Sequence, residues 1–287
     1  MTKIRGKKVL VTGGANGIGR LLGERCLKEG AAHLVIWDIN EQRLAETKKA
    51  FEKQGYQVSS YIVDVSNVEE IKTAAALTLS EVGKIDILFN NAGIVVGKFF
   101  HEHTHEEISK TIDVNVLGVM HVARAFLPDM LREKSGHIVN IASAAGLLAN
   151  PKMSVYVGSK WAVLGWSESL RIEMEEEKTG VKVTTVTPSY IKTGMFEGVK
   201  PPLLAPLLEP EEIVDKIIDA VKENEILVTA PWSVHLIPIL RGLMPARIFD
   251  WVIGKGLGIY ESMASFVGRP KEEAVPEKKS SKIKLDE

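Results

Sequence analysis

Three side chains near the middle of the chain are suited to moving a proton. Tyr156 and Lys160 are four residues apart, so on a helix both project from one face toward a common site, and Ser143 precedes them. A phenol with an ordinary pKa of about 10 is a poor base at neutral pH. One positive charge about 5 Å away lowers that pKa by roughly two units at an effective dielectric of 20. Lys160 and a second positive charge together would bring the pKa of Tyr156 near neutral pH, where general acid–base catalysis works best.

In this arrangement Ser143 would hydrogen-bond the substrate oxygen and orient it. Each residue also has an ordinary structural interpretation. A tyrosine beside a lysine on an amphipathic helix is usually packing plus a solvated charge, and Ser143 would then cap a loop. The decision between the two interpretations depends on what else the chain carries.

A glycine-rich segment near the N-terminus, Thr12–Gly19 (TGGANGIG), is suited to binding a pyrophosphate. Its glycines let the backbone turn sharply, and the amide groups of the helix that follows carry positive partial charge. Asp38 follows at the end of the next short apolar run, where it can accept hydrogen bonds from a ribose 2′-hydroxyl and would repel a 2′-phosphate. Ile39 and Asn40 add no positive charge, so the sequence predicts NAD, with NADP less favoured.

These residues must be positioned by alternating strands and helices. Short β-branched runs predict strands at Val9–Val11, Leu34–Trp37, Val58–Val63, Ile87–Phe89, His137–Ile141, Val181–Val186 and Ile226–Val228. Amphipathic stretches predict helices near Gly17–Glu29, Glu41–Gln54, Val68–Glu81, His105–Leu131, Val155–Lys178 and Glu211–Glu223. The alternation predicts an α/β fold, a doubly wound parallel sheet of about seven strands with helices on both faces.

The motifs occur in the order typical of one enzyme family. Gly13-x-x-x-Gly17-x-Gly19, Asn90-Asn91-Ala92-Gly93, Asn115, Ser143 and Tyr156-x-x-x-Lys160 follow one another. The chain thus resembles the short-chain dehydrogenase/reductase family from about Lys3 to Ala230. The resemblance implies a single-domain Rossmann fold, a nicotinamide cofactor that supplies the second positive charge when oxidised, and a Ser-Tyr-Lys centre assisted by an asparagine. It makes the structural interpretation of Ser143, Tyr156 and Lys160 much less favoured.

The resemblance also assigns roles by position. The expected catalytic residues are Asn115, Ser143, Tyr156 and Lys160, with Ser143 and Tyr156 contacting the substrate and Asn115 holding a water behind the lysine. The expected cofactor-binding residues are Gly13, Asn16, Gly17, Ile18, Gly19, Asp38, Ile39, Asp64, Val65, Asn91, Ala92, Gly93, Tyr156, Lys160, Pro188, Ile191 and Thr193.

Two of these assignments have open alternatives. Asp64 and Val65 would face the adenine, but an aspartate there also suits a turn before the next helix. Pro188, Ile191 and Thr193 belong to a segment that would meet the nicotinamide carboxamide, and Ser189 replaces the glycine usual in the family.

Composition excludes several other classes of protein. The 287 residues carry a formal charge of −1 and one cysteine, so we expect no nucleic-acid footprint, no internal disulfide and a reducing, cytoplasmic location. No signal peptide or transmembrane span is expected, and the few residues before Thr12 leave no room for an apolar anchor. His101, His103 and His105 alternate with other residues in what we interpret as a solvated surface turn, and no metal site is expected.

Three short segments of the chain resemble those of the 17β-hydroxysteroid and retinol dehydrogenases, a group of enzymes that acts on lipophilic alcohols. The three segments are Trp37–Asn40, Leu208–Val214 and Met244–Arg247. We therefore expect an NAD-dependent oxidoreductase of steroids, retinoids or long-chain alcohols. The alternatives are a reductase of 3-oxoacyl thioesters or small polar alcohols, and a non-catalytic module that senses dinucleotide or binds a partner.

The C-terminal part departs from the strand–helix alternation. One domain is expected over residues 1–268, including a substrate lid at about 190–210 and an apolar helical extension at about 232–267, followed by a flexible charged tail at 269–287. In the extension, either everything is buried or Phe249, Trp251 and Val252 enter a lipid interface beside Arg241 and Arg247, giving weak peripheral membrane contact. By resemblance, the two long helices would form a homodimer or homotetramer.

Overall fold

The β-branched runs form one sheet in the computed structural model, which describes residues 1–268. The strands are β1 Lys8–Thr12, β2 His33–Asp38, β3 Val58–Ile62, β4 Ile87–Asn90, β5 Gly136–Ile141, β6 Val181–Pro188 and β7 Leu227–Ala230. All neighbours are parallel, in the order β3-β2-β1-β4-β5-β6-β7. The strand order reverses between β1 and β4, and ligands of such sheets bind beyond the carboxyl ends of the strands at this point.

Helices connect the strands and continue beyond the last one. They are α1 Gly17–Lys28, α2 Glu41–Glu52, α3 Val68–Glu81, α4 His105–Ile112, α5 Val119–Arg132, α6 Ser154–Glu176, α7 Pro210–Glu223, α8 Leu236–Leu243 and α9 Ala246–Phe249. The predicted helix His105–Leu131 runs through α4 and α5 and is widened between them by π-helical turns at Asp113–Gly118.

Two apolar layers bury the sheet. Leu22 of α1, Phe51 of α2 and Ile217 of α7 pack on one face, and the other face receives residues of α3, α5 and α6. On that second face the rings of Trp37 and Phe126 lie 5.6 Å apart. The predicted doubly wound sheet with helices on both faces is therefore confirmed.

The segment between β6 and α7 closes on itself. Ile191 and Leu208 form an isolated parallel bridge, and the backbone N–H of Leu208 donates to the carbonyl of Tyr190 at 2.8 Å. Between these ends the chain has no further helix or strand. We refer to residues 190–209 as the lid.

The C-terminal extension, residues 232–268, packs on the lid and on the loop before α6. Backbone N–H groups of Lys200 and Leu203 donate to carbonyls of Ser262 and Leu257, and Val267 donates to Glu197. The proposed tail at residues 269–287 lies outside the described residues.

One part of the lipid-interface alternative for the extension is wrong. Phe249 is buried in an apolar cluster with Ile237 and Ile253, so its side chain does not reach a lipid interface. Arg241 stacks over the Trp161 ring, 4.3 Å from its centroid, and remains exposed. Its guanidinium also donates weakly to the carbonyl of Leu147.

One helical stretch of the described residues, His105–Arg132, is long and apolar enough to cross a membrane. About half of its most apolar window is buried, and Val122, Phe126 and Met130 belong to the core on the second face of the sheet. A core helix of a globular protein meets the same criteria of length and composition, so this is weak evidence for a span.

Candidate active site

The glycine-rich segment lies between β1 and α1 with backbone that only glycine adopts readily. Gly13 and Gly17 have φ of +63° and +53°, and a Cβ on Gly13 would lie 3.0 Å from Cα of Ala92. Gly19 has a different function, because a Cβ there would lie 2.2 Å from the carbonyl oxygen of Gly13. Gly19 therefore lets α1 approach the loop, and Gly13 and Gly17 keep the cleft above it open.

Asp38 ends β2 with both carboxylate oxygens held in place. One accepts the backbone N–H of Ala15 and the other that of Asn40, each at 3.0 Å. Each oxygen keeps a further lone pair, so the oriented carboxylate can still accept from a hydroxyl group in the cleft. Arg43 lines the same part of the cleft.

The loop after β4 is fixed by Thr12, a residue that the sequence analysis did not assign to the site. Its hydroxyl oxygen accepts from the backbone N–H groups of Asn91 and Ala92 at 3.0 and 3.1 Å. The Asn91 amide in turn donates to the carbonyls of Thr12 and Gly13. The signal for Thr12 was its position at the end of β1, where its hydroxyl faces the end of β4.

Asp64 lies in the cleft and also starts a turn, so both interpretations of this residue describe its geometry. Its carboxylate accepts from the backbone N–H and hydroxyl of Ser66, at 2.9 and 2.6 Å, and from Lys110 at 3.2 Å. Burial alone would raise the pKa of Asp64, but these hydrogen bonds and the Lys110 charge hold it below its usual value. Asp64 is therefore an anion at neutral pH.

Tyr156 and Lys160 lie on one face of α6, as their spacing predicts, and both are about 5 % exposed. Lys160 Nζ lies 5.7 Å from the centroid of the Tyr156 ring and donates to the carbonyl of Ile141 at 2.9 Å. Ser143 lies nearby, two residues after the end of β5, and its hydroxyl accepts the backbone N–H of Ala145 at 3.1 Å. Ser143 therefore caps a turn and also faces the cleft beside Tyr156.

Burial opposes the charged form of both groups. It raises the pKa of Tyr156 far above its ordinary value, although a hydrogen bond with Ser143 partly offsets this. Burial also lowers the pKa of Lys160 to about 8. The protein's own groups thus do not bring the pKa of Tyr156 near neutral pH. The lowering of this pKa that the sequence analysis expects depends on the positive charge of an oxidised nicotinamide.

Asn115 is fully buried in the π-helical turns between α4 and α5. Its amide accepts from the N–H of Ile94 and donates to the carbonyl of Ile94, both at 2.9 Å, and it donates to Ser159 at 3.0 Å. Ser159 in turn donates to the carbonyl of Tyr156 at 2.7 Å. Asn115 thus ties the loop after β4 to α6, and one lone pair of its carbonyl oxygen remains for the expected water.

The structure brings almost all of the expected site residues to one cleft at the carboxyl ends of the strands. Those that line it are Gly13, Asn16, Gly17, Ile18, Asp38, Ile39, Asp64, Val65, Asn91, Ala92, Gly93, Ser143, Tyr156, Lys160, Pro188, Ile191 and Thr193. Gly19 and Asn115 lie behind its wall. The roles of these residues stay predictions.

A second cavity, of about 160 Å³, opens from the cleft at Ser143 and Phe196. Its wall is mostly apolar and comes from the lid, from the loop before α6 and from the extension. The lining includes Leu148, Met153, Tyr190, Leu204, Val234, Leu236, Ile237, Leu240, Ile253, Leu257 and Ile259. The sequence analysis expected a lid and an apolar extension, but not that they enclose one cavity with the loop before α6, because these segments have no repeating pattern.

The histidines after β4 are not all in a solvated turn, and this expectation is wrong for one of them. His101 and His105 are exposed, but the side chain of His103 is fully buried, with Nδ1 3.8 Å from Glu107. A reciprocal cap between Thr104 and Glu107 starts α4 directly after His103. Within residues 1–268, no group of three His, Cys, Asp or Glu side chains could hold a metal ion.

The cleft fits a dinucleotide in shape and polarity. An oriented carboxylate, Asp38, lies at one end, the N-terminus of α1 in the middle, and Tyr156 with Lys160 at the other end. A Cβ on Gly93 would point between Asn115 and Lys160, 3.3 and 3.7 Å from their polar atoms, so glycine keeps this end open. Positive partial charge at a helix N-terminus suits a pyrophosphate.

The fold and the site together define an oxidoreductase, and the chain belongs to the short chain dehydrogenase family, whose sequence model matches residues 7–203. Within this family the chain is similar to the retinol and hydroxysteroid dehydrogenases. It is 38% identical over 272 residues to mouse (Mus musculus) epidermal retinol dehydrogenase 2, covering 93% of this chain and 87% of that protein. It is 35% identical over 263 residues to estradiol 17-beta-dehydrogenase 11 of Macaca fascicularis, covering 88% and 87%.

Solved structures show the same fold. A short-chain dehydrogenase/reductase from Burkholderia phymatum in complex with NAD has a TM-score of 0.76 at 28% identity, over 90% of this chain and 98% of that one. A metagenomic short-chain oxidoreductase in complex with NADP has a TM-score of 0.68 at 26% identity, over 80% and 97%. Structures of this fold thus hold either dinucleotide.

Proposed function

We propose that the protein is an NAD-dependent dehydrogenase of lipophilic alcohols, with Tyr156 as the general acid–base. The observation that carries the proposal is the apolar cavity that opens beside Ser143 and Tyr156 at the end of the dinucleotide cleft. A bound nicotinamide would exchange a hydride with the carbon that carries the substrate oxygen. Steroids, retinoids and long-chain alcohols are the substrates that such a cavity would favour.

The residues of the site would divide the proton chemistry among them. Ser143 would hold the substrate oxygen beside Tyr156, whose Oη takes the hydroxyl proton during oxidation and returns it during reduction. Lys160 would bind the ribose next to the nicotinamide and stabilise the phenolate by its charge. Asn115 would hold the loop after β4 and helix α6 in place around Lys160. A water bound by Asn115 would be the next proton carrier after Lys160.

Asp38 supports NAD as the preferred cofactor. A 2′-phosphate near Asp38 would meet a carboxylate whose two oxygens are already fixed by backbone N–H groups and cannot easily turn away. Arg43 lines this end of the cleft and is the residue through which NADP would be accommodated.

The names of the relatives support lipophilic substrates, since retinol and estradiol are both largely apolar. A reductase of 3-oxoacyl thioesters or of small polar alcohols remains the alternative within the family. The apolar wall of the cavity disfavours the binding of small polar alcohols. A non-catalytic dinucleotide sensor would not need Ser143, Tyr156 and Lys160 together.

The deciding experiment is an absorbance screen at the nicotinamide band. Purified protein is tested with steroid, retinoid, straight-chain and small polar alcohols and with 3-hydroxyacyl thioesters, each with NAD and with NADP. The proposal expects turnover of apolar alcohols with NAD. Turnover confined to thioesters or polar alcohols would favour the alternative, and none with any substrate would favour the sensor.

Exposed apolar residues near the cavity suggest that substrates arrive from a lipid surface. Leu243 is 78 % exposed, Trp251 71 % and Trp232 66 %, and Ile239 and Ile248 are also exposed. Contiguous exposed apolar side chains usually mark a contact surface, and these five residues all lie between positions 232 and 251. We therefore propose a cytoplasmic protein with weak, reversible membrane contact through this part of the extension.

Vesicle flotation tests this contact. Anionic vesicles should carry the protein upward, and a Leu243→Ser, Trp251→Ser double variant should remain at the bottom while its activity on a water-soluble alcohol is retained. A parent protein that does not float would contradict the proposal.

A further inference from the structure

The apolar cavity has a second opening, to the protein surface. Three of its lining residues, Ser143, Ser189 and Phe196, also line the dinucleotide cleft and so mark the inner opening. Of the other described residues that line the cavity, only Leu204 and Leu236 are exposed, by 47 % and 40 %. The cavity is partly open rather than enclosed. The outer opening therefore lies between Leu204 of the lid and Leu236 at the start of α8.

The rim of the outer opening joins the lid to the extension. The hydroxyl of Ser233 donates to the carbonyl of Leu204 at 2.6 Å. Leu203 and Trp232, the sequence neighbours of these two residues, are both exposed. An apolar chain that leaves the cavity between Leu204 and Leu236 would thus meet further apolar side chains at the surface.

The cavity is too small to enclose the substrates of the proposed function. Its volume is about 160 Å³. An apolar cavity of about 150 Å³ holds a single benzene molecule, so the cavity covers about six carbon atoms. Steroids, retinoids and long-chain alcohols have many more carbon atoms than this. Either most of such a substrate lies outside the cavity, or the wall must move apart.

The wall beyond the inner opening is not built to hold a polar far end of a substrate. None of the lining residues is charged. The side-chain donors are used within the protein, since Asn150 donates to the hydroxyl of Tyr190, Tyr190 is hydrogen-bonded to Ser262, and Ser233 donates to Leu204. A substrate therefore gains affinity here from apolar contact, which depends on the buried area and has no preferred direction.

We propose that the cavity is an open-ended channel. It holds the stretch of substrate next to the reacting carbon, and the remainder passes between Leu204 and Leu236 onto the protein surface. The preferred substrates are then long alcohols that are slender next to the reacting carbon, whereas the size of the group beyond the outer opening is not restricted. This inference rests on the proposed function, since Ser143 and Tyr156 are taken to hold the reacting oxygen. Leu204 and Leu236 select among substrates and take no part in the proton transfer.

The chain-length profile of straight-chain primary alcohols tests the open end. We would measure kcat/KM from butanol to dodecanol, below the solubility limit of each alcohol. Each CH₂ that enters the cavity should raise kcat/KM by about fourfold, the factor for burying one methylene group. Beyond the outer opening the profile should level off, with less than about a twofold change for each further CH₂.

Two other profiles would overturn the proposal. A maximum followed by a decline of about tenfold or more would show that the cavity is closed at its outer end. A fourfold rise for each CH₂ up to dodecanol would show that the wall moves apart and covers the whole chain.

A bulky terminal group tests the same channel independently of chain length. Pyrenylbutanol is compared with butanol, and pyrenyldodecanol with dodecanol. The pyrenyl group should lower kcat/KM by about tenfold or more on the short chain, where it has to enter the cavity. On the long chain it should change kcat/KM by less than about threefold, because it lies outside the opening. An equal effect on both chains would overturn the proposal.

Two variants narrow the outer opening from its two sides. Leu236→Trp and Leu204→Trp should each lower the ratio of kcat/KM for dodecanol to that for butanol by about tenfold or more. His235→Trp is the control, because it adds the same ring at an exposed neighbouring position that does not line the cavity. Its ratio should stay within about twofold of the parent. If the control changes the ratio as much, or if neither of the other variants changes it, the proposal is overturned.

This inference and the proposed function fail in different ways. Turnover of alcohols with a closed-end profile would overturn the channel and leave the proposed function standing. If no alcohol is turned over, the proposed function fails, and calorimetric binding of pyrenyldodecanol still tests the channel. The parent should then bind it at least about tenfold more tightly than Leu236→Trp does, and equal binding by the two proteins would overturn the channel.

Discussion

Replacing Lys160 with methionine should stabilise the cofactor-free protein at neutral pH while abolishing its activity. The lysine is about 5 % exposed, and burial lowers its pKa to about 8 from the ordinary 10.5. At 1.36 kcal/mol per pKa unit, holding the charged form in this position costs the folded state about 3 kcal/mol at pH 7. Methionine has a similar length and is uncharged, so Lys160→Met removes this cost.

The substitution also removes a hydrogen bond. Lys160 Nζ donates to the carbonyl of Ile141 at 2.9 Å, and losing that bond costs about 1 kcal/mol. The net expectation is therefore a gain of about 2 kcal/mol in the free energy of unfolding at pH 7.

The gain should disappear with rising pH. Between about pH 8 and 10.5, the folded lysine releases its proton while the unfolded lysine keeps it, so the unfolded parent binds more protons. The stability of the parent attributable to Lys160 therefore rises with pH across this window. Lys160→Met has no such group, so its advantage should fall to near zero at about pH 9.5 and change sign above it.

Urea unfolding of both proteins without cofactor, at pH 7 and pH 9.5, measures this difference. Lys53→Met, at an exposed position after α2, is the control and should lie within about 0.5 kcal/mol of the parent at both pH values. A Lys160→Met protein that is less stable than the parent at pH 7, or whose advantage is the same at both pH values, would refute the reasoning.

Three further predictions concern the reaction, the cofactor and the assembly. Tyr156→Phe should retain NAD binding and lower turnover by about 100-fold or more, as measured by cofactor titration and steady-state kinetics; near-parental turnover would contradict the role of the phenol. The parent should favour NAD over NADP by at least about tenfold in kcat/KM, or roughly 1.4 kcal/mol, and Asp38→Ser should narrow that ratio. Sedimentation should show a homodimer or homotetramer, because Leu117 and Ile172 of the two long helical stretches are more than two-fifths exposed; a monomer at micromolar concentration would exclude this.

The elements of the sheet could be predicted because their signals are local. Each strand and helix that the sequence predicted up to Glu223 begins and ends within two residues of its observed bounds. Continuous apolar runs mark strands buried on both faces, and the glycine-rich turn is specified by backbone angles that other residues avoid. The widened turns at Asp113–Gly118 could not be predicted, since they depend on the bonds between Asn115 and the backbone of Ile94.

The burial of the site residues could not be predicted from their spacing in the sequence. The four-residue separation of Tyr156 and Lys160 predicts a shared face but not that both are covered by neighbouring segments, which reverses the expected direction of the Tyr156 pKa in the protein alone. His103 and Phe249 were misjudged for the same reason, because whether a side chain in an irregular segment faces inward depends on distant contacts.

The two halves of the site therefore differ in how the sequence encodes them. The dinucleotide cleft is formed by strand ends and turns, so short motifs such as Thr12–Gly19 identify it. The apolar cavity is formed where the lid and the extension meet, and a hydrogen bond beside it joins Asn150 to Ser262 across a separation of 112 residues. Backbone hydrogen bonds from Lys200 to Ser262 hold the two segments together, so the cavity wall is a tertiary feature. We therefore expect contacts between the lid and the extension to determine substrate preference. The short motifs indicate only the type of reaction that the relatives share.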